Sequence, residues 1–216
     1  MKKKILLSFL CLMACLHVSA QDFTVGDIKY KVLSAEDKTC EIIGNIGVYG
    51  DVSLPANVEY DASTYTVTSI AEEAFESCSS LTSITIPTSV TTISDDTFTG
   101  CSSLTSITIP TSVTSIGDWA FADCSSLASI TIPSAVTTIG KGAFSGCTDL
   151  TSINLPENVE NIGDEAFNDC KNLVSISLPE KIESKGHKSS LVVGHKNNPT
   201  TSILATIRML LNMNFH

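Results

Sequence analysis

The chain has few basic residues, few aromatic ones and no apolar run long enough to cross a membrane. It holds 13 lysine and arginine residues against 23 acidic ones, and aromatic residues make up 6% with a single tryptophan. Binding to nucleic acid requires a basic face, so nucleic acid is not an expected partner. The apolar stretches 5–16 and 203–215 are shorter than the roughly 20 residues of a transmembrane helix. No membrane span is therefore predicted.

Motifs for catalysis are also missing. The chain has no Gly-x-Ser-x-Gly and no phosphate-binding loop, and its serines recur as part of a repeated pattern without a nearby base. His187 and His195 have no carboxylate or cysteine at ligand spacing. Several aspartates fall on one edge of the repeats, but none has the spacing of a calcium loop. The sequence predicts no enzyme, no metal site and no cofactor.

The first twenty residues have the organisation of a secretory signal peptide. Lys2, Lys3 and Lys4 precede the apolar stretch, and a small-residue cleavage site ends at Ala20. We therefore expect cleavage after Ala20 and a secreted or cell-surface protein. The alternative is a lipoprotein modified at Cys15, which follows a lipobox-like Leu-Met-Ala. The apolar region ahead of that cysteine would be very short, so this is the weaker interpretation.

Beyond the leader, one pattern repeats every 23 residues. Phenylalanine, cysteine, leucine and proline each recur at this step. The phenylalanines are Phe75, Phe98, Phe121, Phe144 and Phe167; the cysteines are Cys78, Cys101, Cys124, Cys147 and Cys170. A fixed period of this length predicts a solenoid, in which each unit buries its apolar face only by stacking on its neighbours. Function is then expected on a surface.

Each repeat predicts one strand and one turn. Residues 81–87 alternate as a strand does, with Thr85 outward, and Pro87 closes the strand. Residues 95–100 are expected to form a short helical turn whose Phe98 reaches the core. The fold class predicted from these units is a mainly β solenoid with short helical turns.

The repeated cysteines share one position of the pattern. Neighbouring coils lie about 4.8 Å apart, but side chains that point the same way in a stack give poor disulfide geometry. We therefore expect a ladder of reduced, buried thiols that behave as small apolar residues. Cys40 lies outside the repeats and has no evident partner.

These motifs carry a family resemblance. Leu81-x-x-Ile84-x-Ile86 and the Ala-Phe-x-x-Cys-x-x-Leu stretches at 120–127 and 143–150 resemble the BspA-type leucine-rich repeats of bacterial surface proteins. The resemblance implies a curved, horseshoe-like α/β solenoid with a parallel sheet on its concave face. It also implies export and binding to proteins or host surfaces, with no catalytic residues to transfer.

The chain divides into four predicted parts. Residues 1–20 are the signal peptide, 21–66 an N-terminal β cap with a hairpin insertion, 67–184 the repeats and 185–216 an irregular basic tail. Lys185 stands where the pattern requires a core isoleucine, and burying an unpaired lysine costs several kcal/mol. The tail has no acidic residue. A capping helix and a damaged chain end both remain open for it.

Candidate binding residues lie on the outward side of the strands and on one turn. The strand positions are Thr82, Thr85, Thr105, Thr108, Thr131 and Asn154, and the turn position is Trp119, expected to face water. The strand face is smaller than the roughly 800 Å² that one partner buries in a standard interface. We therefore expect weak or multivalent, adhesin-like binding to an extracellular protein, with a glycan-binding surface module as the alternative.

Overall fold

The computed structural model describes residues 21–179. The predicted signal peptide, the predicted end of the repeats near 184 and the tail 185–216 lie outside this range and stay predictions. The strands in chain order are β1 (Asp22–Val25), β2 (Ile28–Ser34), β3 (Thr39–Asn45), β4 (Gly50–Ser53), β5 (Asn57–Tyr60), β6 (Ser63–Ile70), β7 (Leu81–Thr85), β8 (Thr92–Ile93), β9 (Ser106–Thr108), β10 (Ser115–Ile116), β11 (Ser129–Thr131), β12 (Thr138–Ile139), β13 (Ser152–Asn154), β14 (Asn161–Ile162) and β15 (Ser175–Ser177).

The N-terminal part is a five-stranded sheet in the order β1-β2-β3-β6-β5. Adjacent strands of this sheet pair antiparallel, except that β3 and β6 run parallel. Asp61 and Ala62 join β5 to β6 with φ angles of 47° and 54°. Two left-handed residues make the tight hairpin turn whose twist matches that of the flanking strands. Phe23 stacks on Tyr60 with ring centroids 4.1 Å apart and closes an aromatic cluster at this end.

The rest of the described chain winds into coils with parallel strands. One side carries two three-stranded sheets, β4-β7-β9 and β11-β13-β15, and the other carries β14-β12-β10-β8. Ile84 pairs with Ile107 and Ile116 with Ile139, so the register shift equals the repeat length. This confirms the predicted solenoid of parallel strands. The outward residues of β7, β9, β11, β13 and β15 are called the strand face below.

The core is a stack of identical side chains. Adjacent phenylalanine rings lie 5.4–5.6 Å apart and are nearly parallel, and all five are fully buried. Leu81, Ile84 and Ile86 are buried while Thr85 is exposed, as the alternation predicts. Each ring up to Phe144 is covered by the ring of the next coil, so one coil cannot be stable alone.

The predicted helical turns are wrong. In residues 95–100 the backbone N–H groups of Asp96, Phe98 and Gly100 donate to carbonyl oxygens one coil further on, at 2.8–2.9 Å. Those donors are then unavailable to a helix, whose N–H groups must bond within the same segment. Asp96 and Gly100 also have φ angles of 52° and 73°, which a right-handed helix excludes. Stacking between coils overrides the local helical pattern.

The cysteine ladder explains why a thiol suits its position. Four thiols donate to the carbonyl oxygen of a phenylalanine in the preceding coil, at 3.0–3.2 Å: Cys101, Cys124, Cys147 and Cys170. All the described cysteines are free, and these four are buried. Burial raises the pKa of Cys124 and Cys170 to about 12. Cys78 departs from the prediction because it is only half-buried.

Candidate binding surfaces

The strand face presents hydroxyl groups in register. Thr85 pairs with Thr108, and Thr131 pairs with Asn154, and all four side chains are exposed. The pairing follows from the equal repeat length, which places equivalent repeat positions at the same point of successive strands. Thr105 is also exposed, and its hydroxyl donates to the carbonyl oxygen of the preceding coil at 3.1 Å. The predicted strand residues therefore form one polar surface.

Thr82 differs from the other predicted strand residues. It is half-buried, and its hydroxyl donates to Asp51 Oδ1 at 2.8 Å. Ser83 donates to the same oxygen at 2.7 Å. These hydrogen bonds, that of Ser83 first, lower the pKa of Asp51 because they favour the carboxylate. The Thr82 hydroxyl thus links β7 to β4, the strand that pairs with it.

Trp119 was predicted to face water, but the structure places its ring against the next coil. It is half-buried, and its ring lies against Gly142, where an added Cβ would meet Cε3 of the ring at 2.2 Å. Lys141 Nζ stands 5.6 Å from the ring centroid on the same coil as Gly142, within range of a cation–π interaction. Gly142 occupies the tryptophan position of the next repeat. The absence of a side chain there makes room for the ring.

A groove opens where the N-terminal sheet meets the first coil. It has a volume of about 620 Å³ and is lined by residues from 44–49 and 73–80. Tyr49 belongs to the lining, and 74% of its surface is exposed. Cavities of 300–1,000 Å³ at the junction of two structural parts are common ligand sites.

Asn45 holds the groove in shape. Its Oδ1 accepts from the N–H groups of Gly47 and Val48 at 3.0 and 3.4 Å. Its Nδ2 donates to the Ala74 carbonyl at 3.0 Å and to the Cys78 sulfur at 3.1 Å. One side chain therefore ties the loop before β4 to the first turn of the solenoid, and the groove is formed in advance of any ligand.

Cys78 lies in the wall of this groove. Hydrogen bonds from the Cys101 thiol and from Asn45 lower the pKa of Cys78, against the opposing effect of burial. The Cys101 thiol has one proton, and it also donates to the Phe75 carbonyl oxygen with Sγ 3.1 Å from that oxygen. The hydrogen bond from Asn45 is therefore the constant contribution to the lowered pKa of Cys78. A half-exposed thiol with a lowered pKa is the most reactive kind. The other ladder thiols lack both properties.

Sequence reasoning missed Asn45 and Tyr49 as candidate residues. The groove depends on the contact between the cap and the first coil, which no periodicity encodes. One local signal was present: Gly44, Gly47 and Gly50 fall close together, as in a loop that needs unusual backbone angles. Their φ angles are 154°, 118° and 65°, values that favour glycine.

Residues 21–179 contain neither a metal-binding cluster nor a transmembrane helix. That part of the chain contains no group of three or more histidine, cysteine or acidic side chains placed to hold a metal ion. No helix in the same range is long and apolar enough to cross a bilayer.

Three features define the repeat of this solenoid: the 23-residue register, the stacked phenylalanine rings and the thiols hydrogen-bonded to the preceding coil. The profile of the BspA type leucine rich repeat region matches residues 68–189 in six copies. The chain belongs to the BspA-type leucine-rich repeat family. Among curated proteins, none matches this chain.

Solved structures of bacterial repeat proteins share the fold of this leucine-rich repeat chain. A leucine-rich repeat protein from Bacteroides ovatus is 39% identical with a TM-score of 0.71, over 76% of this chain and 43% of that one. A T. pallidum leucine rich repeat protein is 33% identical with a TM-score of 0.66, over 74% and 72%. A leucine rich cell surface protein from Faecalibacterium prausnitzii is 33% identical with a TM-score of 0.68, over 76% and 44%. This chain thus spans under half the length of the first and third.

Proposed function

We propose that this BspA-type leucine-rich repeat protein is exported and binds other proteins at a bacterial surface in an adhesin-like manner, without enzymatic activity. The observation that carries the proposal is the strand face, on which Thr85, Thr108, Thr131 and Asn154 are exposed at the same position of successive repeats. Regular polar rows suit repeated contacts with an extended partner. The predicted signal peptide and a similar protein described as a cell surface protein support export.

The size of the strand face limits how tightly it can bind. Five coils at about 4.8 Å each span about 24 Å, and the face lacks the tryptophan, tyrosine and arginine residues that dominate strong interfaces. Single contacts are therefore weak. Many copies on one cell surface would strengthen binding by raising the effective concentration of the second and later contacts.

The test compares two sets of lysine substitutions for binding to immobilised extracellular matrix proteins, beside a glycan array. Thr108→Lys with Thr131→Lys alters the strand face, and Thr114→Lys with Thr137→Lys adds equal charge at exposed sites near the opposite sheet. We expect only the first pair to reduce protein binding, with equal melting temperatures. Equal losses for both pairs would refute the strand face as the binding surface. Binding to glycans without binding to proteins would favour the glycan-binding alternative.

A further inference from the structure

Within residues 21–179, the groove beside Asn45 lies where the repetition begins. It needs the loop before β4 on one side and the first turn, residues 73–80, on the other, and its lining includes no residue of a later turn. The later turns of the described chain have the turn of the preceding coil on that side instead, and they accept backbone hydrogen bonds from it. A binding site here would therefore occur once per chain, unlike the repeated strand face.

The charged residues of the groove lining have one sign. Glu73 and Glu76 belong to its lining, which contains no lysine, arginine or histidine. Lys29 approaches from the sheet side, with its Cδ 4.0 Å from where a Cβ on Gly44 would stand, and is not part of the lining. Two carboxylates without a lining cation attract a cationic group, and the chain's formal charge of −10 would speed its approach.

The groove also offers an aromatic surface and free access. Tyr49 is the most exposed large apolar side chain of the described residues, at 74%. A Cβ built on Gly47, which belongs to the lining, would meet nothing within 4 Å, so the space beside this residue is open. An exposed aromatic face beside carboxylates is the combination that holds an ammonium or guanidinium group.

We propose that this groove binds a lysine or arginine side chain presented by a basic peptide segment of a protein partner. Glu73 and Glu76 pair with the cation, and Tyr49 covers it. The inference rests on the proposed protein-binding function and narrows it to a partner with an exposed basic segment. Because Asn45 fixes the loop through four hydrogen bonds, the protein orders few groups on binding, which favours affinity.

The first test measures binding of a fluorescent hexalysine peptide to the full chain by anisotropy, with hexaglutamate as the negative control. Glu73→Gln with Glu76→Gln should weaken binding about tenfold, as two partly exposed charge pairs allow. The control pair is Glu157→Gln with Glu165→Gln. Glu165 occupies the same repeat position as Glu73 with nearly the same φ, 61° against 59°. The control pair should change binding less than twofold.

Tyr49 provides a second variant that leaves the net charge unchanged. Tyr49→Leu should weaken hexalysine binding about threefold, since it removes the aromatic face, while Tyr49→Phe should retain binding. If both glutamine pairs reduce binding equally, the peptide binds the acidic surface at large and the groove proposal is refuted. Equal binding by Tyr49→Leu and the unchanged protein would remove the aromatic part of the proposal.

Cys78 reports occupancy of the groove directly. A small thiol reagent should modify Cys78 ahead of the other ladder thiols, because they are at most 1% exposed. Saturating hexalysine should slow this reaction at least fivefold, and hexaglutamate should not. An unchanged rate under saturating hexalysine would contradict binding in the groove, whatever the anisotropy shows.

The same variants separate this inference from the proposed function. If matrix proteins bind and only the strand-face pair Thr108→Lys and Thr131→Lys reduces it, the protein-binding function stands and the groove proposal fails. If hexalysine binds the groove but no protein does, the groove proposal stands and the function fails. Loss of protein binding in the Glu73 and Glu76 pair, without loss in the control pair, supports both.

Discussion

The contact between Trp119 and Gly142 makes a quantitative prediction about stability. In Gly142→Ala, the new methyl group would lie 2.2 Å from the tryptophan ring, so the ring or the backbone must move. Overpacking of this kind costs about 1 to 3 kcal/mol. The backbone adds about 1 kcal/mol, because Gly142 has a φ of 59° and alanine is strained there. The free energy of unfolding should fall by about 2 to 4 kcal/mol.

Removing the tryptophan should abolish the larger part of this loss. In a Trp119→Ala background the ring is absent, so Gly142→Ala should cost only the backbone strain of about 1 kcal/mol. The two substitutions are therefore coupled by about 1 to 3 kcal/mol, as expected for residues in direct contact. Trp119→Ala alone should lower stability by about 1 kcal/mol, since it removes a half-buried ring and its contact with Lys141.

The assay is thermal or urea unfolding of the four proteins of this cycle, followed by circular dichroism. Gly142→Ala should lower the melting temperature by roughly 5 to 10 °C in a domain of this size. Gly100→Ala is the matched control: its φ is 73°, but its nearest atom is Ser77 Oγ at 3.4 Å. It should cost about 1 kcal/mol with or without Trp119. An equal cost of Gly142→Ala in both backgrounds would refute the packing role of Trp119.

Three further predictions concern the thiols and the first strand pair. Cys78 should react first in the native chain, and its rate should begin to rise at a lower pH than that of an ordinary thiol, because hydrogen bonding lowers its pKa. Prompt reaction of a second ladder thiol would contradict the buried ladder. Cys124→Ala should lower the free energy of unfolding by about 1 kcal/mol, because it opens a small cavity and removes the hydrogen bond to the Phe98 carbonyl oxygen. Cys78→Ala should lower it by less, since this side chain is only half-buried. Equal effects of the two substitutions in urea unfolding would contradict this. Folding lowers the pKa of Asp51, so its hydrogen bonds with Ser83 and Thr82 stabilise the folded state at pH values above the usual carboxyl pKa of about 4. This stabilisation is lost as the pH falls through the lowered pKa of the folded state. Asp51→Asn should therefore lose less stability than the unchanged protein on acidification from pH 5 to pH 3, and equal losses would rule out this contribution.

Much of the fold follows from patterns that lie within one repeat. The 23-residue step predicts the parallel register, because equal repeats can stack only with equal positions side by side. Alternation from Leu81 to Ile86 predicts which side chains enter the core, and the structure confirms it. The helical turn around Phe98 could not be excluded in this way. Its local pattern suits a helix, and only the next coil, which accepts the N–H groups, removes that option.

The candidate surface was predictable in part. The exposed rows containing Thr85, Thr108 and Thr131 follow from the strand alternation alone. Thr82 and Trp119 were less predictable, because Asp51 and Gly142 determine their exposure and each lies on another coil. A single repeat shows a tryptophan at an outward position, but not that glycine in the next repeat leaves room for its ring.

The sequence by itself determined the solenoid, its repeat length, the inward side chains and the position of the thiol ladder, because each is a property of one repeat copied along the chain. The tertiary structure alone decided the groove, the half-exposure of Cys78 and the packing of Trp119. These depend on where the repetition is interrupted, by the N-terminal sheet or by a substituted residue. A periodic pattern specifies the contacts between equal units, whereas contacts between unequal units depend on side-chain shapes that meet only after folding.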